Sequence, residues 1–183
     1  MKVDNKKDIV LLLLYSQGAT GEVNEPVDGV TRLQKLLFLL DKEYDIRKLV
    51  LKYFDFEAFQ YGPFTEEIYS IIDALINYGL VTKEKQCKVS PEELAEREFT
   101  SDYSYEGEEI DETQQVSEPS VESFRLTKKG LEIAQKLADS LSEEDRKKFI
   151  DIKKRFNQLS LVQLINYVYK NYPESAKYSK YRY

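Results

Sequence analysis

Ser123-Phe124-Arg125-Leu126-Thr127-Lys128-Lys129-Gly130 is the stretch on which the fold turns. Its first four residues read as a short strand, and Thr127 reads as the N-cap of a helix continued by Leu131, Ala134, Leu137 and Leu141. A strand that passes straight into a helix needs a partner, and the strand-like run Leu80 to Val89 supplies one, giving a hairpin with a very long tip. Before that run, Thr65 is a good N-cap and Glu66 and Glu67 sit where a helix start favours negative charge, so a helix is predicted up to Tyr78 and ending at Gly79.

Toward the N-terminus, Ile9 to Leu14 is apolar all round, follows the capping candidates Asp4 and Asn5, and stops at Ser16-Gln17-Gly18. This predicts a buried first helix with Gly18 in the left-handed cap conformation. After a Gly/Asn/Pro loop through Gly29, Val30, Leu33, Leu36, Leu37, Leu40 and Tyr44 recur at helical spacing, leaving Arg32, Lys35, Lys42 and Glu43 for the opposite side. From Tyr53 to Tyr61 the period changes to two, with Phe54, Phe56 and Ala58 on one face and Asp55 and Glu57 on the other, a half-buried strand broken by Gly62-Pro63. Downstream, Ser142 with Asp145 starts a helix carrying Phe149, Ile152 and Phe156; Ser160 caps another with Leu161, Leu164, Ile165 and Val168 inward; Pro173 should stop it.

Composition narrows the function. The 183 residues, 42% hydrophobic, are enough for one sizeable core and short for two. The longest apolar run, Ile9 to Tyr15, is seven residues, against the roughly 20 a membrane-spanning helix needs, so no membrane association is expected. The first eight residues mix both charges and do not read as a signal peptide, which points to the cytoplasm. Histidine is absent, which removes the commonest general base and metal ligand, and Cys87 is the only cysteine, which excludes an internal disulfide and a cysteine zinc cluster. The seven glycines form no nucleotide-binding motif. The paired carboxylates Glu66 and Glu67 at a helix start point about 100° apart on a helix and have no evident metal or histidine partner. No catalytic, metal or cofactor residue is therefore assigned, and the chain is expected not to be an enzyme.

Charge is unevenly placed. Residues 90–122 hold twelve acidic residues and a single Arg97, interrupted by Pro91, Gly107 and Pro119, and read as a flexible acidic insertion at the hairpin tip. The rest of the chain then has 26 basic against 21 acidic residues, although the whole carries −6. Residues 174–183, with Tyr178, Lys180, Tyr181, Arg182 and Tyr183, read as a frayed basic-aromatic tail.

Helix, strand, helix, then a hairpin closing in Phe124-Arg125-Leu126-Thr127-Lys128-Lys129-Gly130, is similar to a winged helix. The expected fold is mainly α with a small β component: one domain over residues 1–183, with a winged-helix-like core, a three-stranded β element and C-terminal helices. More narrowly, Arg32-Leu33-Gln34-Lys35-Leu36-Leu37-Phe38, Phe59-Gln60-Tyr61-Gly62-Pro63-Phe64-Thr65-Glu66-Glu67-Ile68-Tyr69, and the ending from Leu159-Ser160 through Tyr167-Val168-Tyr169 to Tyr172-Pro173 resemble the prokaryotic Panacea (SocA-like antitoxin) and YwgA-like groups. The resemblance covers most of residues 5 to 173 and leaves the acidic insertion outside. It implies a regulatory or antitoxin-type protein that acts by contact and not by chemistry.

Two surfaces qualify as binding sites. Lys83, Lys85 and Lys88 on one hairpin strand, with Arg125, Lys128 and Lys129 after the other, are candidate contacts to the phosphates of double-stranded DNA, or else a charged edge that guards against strand pairing. Arg32, Lys35 and Lys42 form a loose basic stripe that could meet an acidic partner protein. Against DNA stands the helix before the hairpin, whose outward side would show Glu66, Glu67, Ser70, Asp73 and Asn77 without one Lys or Arg. The leading expectation is a DNA-linked transcriptional regulator, dimeric on two half-sites, whose basic wing is shielded by the acidic insertion. The alternative is an antitoxin-like module that binds a toxin-like partner protein.

Overall fold

The structure, a computed structural model, describes residues 2–86 and 121–179. It is mainly helical with a small antiparallel sheet of three strands. Lys88 and nearly all of the acidic segment 90–122, together with Tyr181, Arg182 and Tyr183, lie outside the described residues.

Helix α1 (Lys6–Tyr15) begins at Asn5, whose side chain accepts from the amides of Lys7 and Asp8 while Asp8 reaches back to the Asn5 amide. That reciprocal box satisfies amides with no partner inside the helix. Every residue from Ile9 to Leu14 is buried, which makes α1 the central rod its all-round apolarity predicts. It ends at Ser16, whose hydroxyl donates to the Leu12 carbonyl at 2.7 Å; Gly18 is not among the left-handed residues, so the expected glycine cap is replaced by a serine.

Strand β1 (Val27–Asp28) leads through Gly29, at φ 83°, into α2 (Val30–Tyr44), which packs on the later helices and buries Leu33, Leu36, Leu37 and Leu40. A 3-10 turn at Ile46–Leu49 follows. The expected strand from Tyr53 to Tyr61 shrinks to β2 (Glu57–Phe59), and Gly62-Pro63 does not end it but begins its partner β3 (Gly62–Phe64), with Phe59 opposite Gly62. Tyr53 and Phe54 are both buried, rings edge to face at 5.1 Å, and from Phe54 onward the expected alternation holds in burial, with Phe54, Phe56 and Ala58 turned inward and Asp55 and Glu57 exposed. Helix α3 (Glu67–Asn77) starts one residue later than the expected Thr65 cap would set it: Glu66 holds the N-cap position without a side-chain cap bond, and Thr65 is buried with its amide donating to Gln34 Oε1 at 3.1 Å. Its end is as predicted: Gly79 takes φ 66°, its amide bonds the Ile76 carbonyl, and the Leu80 amide bonds that of Leu75.

The hairpin of β4 (Val81–Gln86) and β5 (Val121–Leu126) forms in the expected place, with Val81 opposite Leu126 and Lys85 opposite Glu122. The third strand of that sheet is β1, paired with β5 through Val27 and Phe124, and not the 53–61 segment. Thr127 caps α4 (Lys128–Asp139) by accepting from the Gly130 amide, Ser142 caps α5 (Glu143–Phe156), and Ser160 with Gln163 forms a capping box on α6 (Leu161–Asn171). Pro173 opens a last 3-10 turn, Pro173–Ala176. Gly130 is required by packing, since a Cβ there would lie 2.0 Å from the Leu80 carbonyl oxygen. Among the described residues no helix is long and apolar enough to cross a membrane.

Candidate interaction surfaces

The five hairpin cations among the described residues do not form one patch. Residues directly opposite in an antiparallel pair share a face, and neighbours along a strand alternate. The register therefore puts Lys83 and Lys85 on the face of Phe124 and Glu122, and Arg125, opposite Thr82, on the other. Lys83 is also paired with Glu122 at 2.6 Å. Lys128 is exposed in the first turn of α4, and Lys129 donates to the Tyr78 carbonyl at 2.9 Å, tying α4 to the end of α3. Lys88, the sixth, is outside the described residues.

The basic stripe on α2 is overturned for two of its three members. Arg32 is 8% exposed, and its Nη1 donates to the carbonyls of Leu159 (2.6 Å), Asn157 (3.1 Å) and Phe156 (3.5 Å), the electronegative C-terminal end of α5. Lys35 is 3% exposed, with Nζ donating to the Pro63 carbonyl at 3.1 Å, and burial pushes its pKa down to about 7. Only Lys42 is exposed, its ammonium 5.5 Å from the centre of the Phe38 ring. The cations turn inward because carbonyls at helix and strand ends need donors that long flexible side chains can deliver.

A third inward cation was not anticipated. Lys153 on α5 is fully buried, donates to the Leu14 carbonyl at the end of α1 at 2.6 Å, and has its pKa lowered to about 7, chiefly by desolvation. The signal was available: Phe149, Ile152, Lys153 and Phe156 fall at i, i+3, i+4 and i+7, so the lysine occupies a core position of the helical stripe.

The acidic side of α3 stands as expected. Glu66, Glu67, Ser70, Asp73 and Asn77 are all exposed, joined by Tyr69 and Tyr78, and no Lys or Arg belongs to α3. Glu67 is bonded to Lys6, whereas Glu66 and Asp73 have no ion-pair partner among the described residues. Phe59 and Phe64 stack at 5.0 Å, and Tyr69 lies 6.2 Å from Phe64, so an aromatic ridge borders the carboxylates. Among the described residues no three acidic or cysteine side chains converge as metal ligands.

Compared with known proteins, the chain matches no family model, no curated protein and no solved structure.

Proposed function

We propose that this chain is a binding module of winged-helix type, without chemistry of its own, that engages a partner protein through the acidic, aromatic-bordered outer face of α3. The observation that carries the reading is the exposure of Glu66 and Asp73, without ion-pair partners among the described residues, beside Tyr69 and Tyr78 on a helix that has no basic residue of its own. In a winged helix the helix before the wing is the one that enters the major groove, and carboxylates there would face phosphates. The same face suits a basic surface, with tyrosines supplying contact area at low entropic cost. This is the antitoxin-like reading, in which function is formation of a protein complex.

A second reading, the DNA-linked regulator with an acidic insertion shielding its wing, is supported by Lys85 and Lys128, which are exposed and without ion-pair partners among the described residues. One experiment separates the two. Labelled duplex DNA is titrated by fluorescence anisotropy across a salt series with the intact chain and with a variant in which a short linker replaces residues 90–121. The partner-protein reading expects no salt-dependent binding by either. Steep salt-dependent binding by the deletion variant would instead establish the wing as a masked DNA contact.

A further inference from the structure

At the end of α1 remote from α3, a groove of about 180 Å³ opens between α1, α4 and α5. Its apolar wall is made by Leu12, Val23, Ala138, Leu141, Phe149 and Ile150. A dry apolar cavity of about 150 Å³ accepts benzene, so this groove has room for a ring or a branched chain. Polar groups gather on one side. The Tyr15 hydroxyl donates to Gln135 Oε1, and the Gln135 amide in turn donates to Asp139 at 2.8 Å. Arg146, from the first turns of α5, lines the same groove near enough to Tyr15 for its charge to act on that hydroxyl.

Arg146 is exposed and is the one cation of this set. Its guanidinium makes no hydrogen bond or ion pair among the described residues, and Glu143, the acidic residue one turn before it, is held by Lys147 at 2.7 Å. A guanidinium fork at the edge of an apolar groove matches a carboxylate attached to an apolar body. Asp139, beyond Gln135, disfavours a second negative charge.

We propose that this groove is a binding site for a small monocarboxylate with an aromatic or branched aliphatic body. The body lies against Leu12, Phe149 and Ile150, and the carboxylate sits on Arg146 beside Tyr15 and Gln135. The site is independent of α3: Lys6, which holds Glu67, and Tyr15 are at opposite ends of α1, about 14 Å apart at 1.5 Å per residue.

The test is a titration of the full chain with phenylacetate, phenylacetamide and inorganic phosphate, followed by amide chemical shifts. Phenylacetate should produce saturable shifts at Leu12 and Ile150, and phenylacetamide should bind about tenfold more weakly, the size of one charge-assisted hydrogen-bonded contact. Arg146→Gln should bring the acid down to the level of the amide. Val23→Trp, at a half-exposed position on the wall, should fill the groove and abolish both. Equal binding of acid and amide by the unaltered chain, the same shifts with phosphate, shifts that survive Val23→Trp, or no saturation up to the solubility limit each overturns the proposal.

Discussion

At the residue scale, the three inward cations set the behaviour to be measured. Lys35 and Lys153 have folded-state pKa values of about 7, whereas the unfolded chain has the ordinary lysine value of about 10.4. Between those limits the unfolded state binds more protons, so stability should rise as pH increases from 7 to 10 and fall on the way back, with each lysine contributing up to about 1.4 kcal/mol per pH unit. Urea unfolding at pH 7, 8 and 9.5 measures the slope, and the double variant Lys35→Met/Lys153→Met should flatten it. An unchanged slope in the double variant would show that neither lysine is the neutralised group. Arg32 gives a second contrast. Arg32→Ala strips donors from the carbonyls of Asn157 and Leu159 and should cost about 2–4 kcal/mol, whereas Lys42→Ala, on the exposed side of the same helix, should stay within about 0.5 kcal/mol. Comparable losses in both would mean that Arg32 is no more structural than a surface cation.

At the scale of elements, local chemistry was legible wherever the deciding partners are a few residues apart. Asn5, Thr127, Ser142 and Ser160 cap as predicted, because a cap needs only its own side chain and an amide two or three residues on. Gly79 closes α3 for the same reason, and Gly79→Ala should cost about 1–2 kcal/mol in thermal or urea unfolding through its positive φ. Gly130→Ala should be worse, about 3 kcal/mol or more, because its methyl would collide with the backbone of Leu80. If Gly130→Ala proved the milder of the two, the close approach of α4 to the start of β4 would not be rigid. Thr65 does not cap, since α3 starts one residue later, behind Glu66, and Thr65 is buried against Gln34, distant in sequence.

At the scale of the whole molecule, charge is distributed by packing and not by count. Lys83 and Lys85 face one way from the hairpin, Arg125 the other, and α3 presents carboxylates between tyrosines. If α3 is the binding face, Glu66→Lys/Asp73→Lys should abolish the complex recovered from the native cell, and Lys85→Glu/Lys128→Glu should leave it intact. The reverse pattern would move the interface to the hairpin. The amino-acid sequence by itself determined the mainly helical make-up, most helix boundaries, the β4–β5 hairpin and the acidic outer side of α3, since periodicity, caps and turn residues act over one or two helical turns. Only the tertiary structure decided that Arg32, Lys35 and Lys153 point inward, that β1 is the third strand and that Gly62-Pro63 builds a hairpin. Those outcomes depend on carbonyls and strand edges brought close by folding, which a local pattern of residues does not encode.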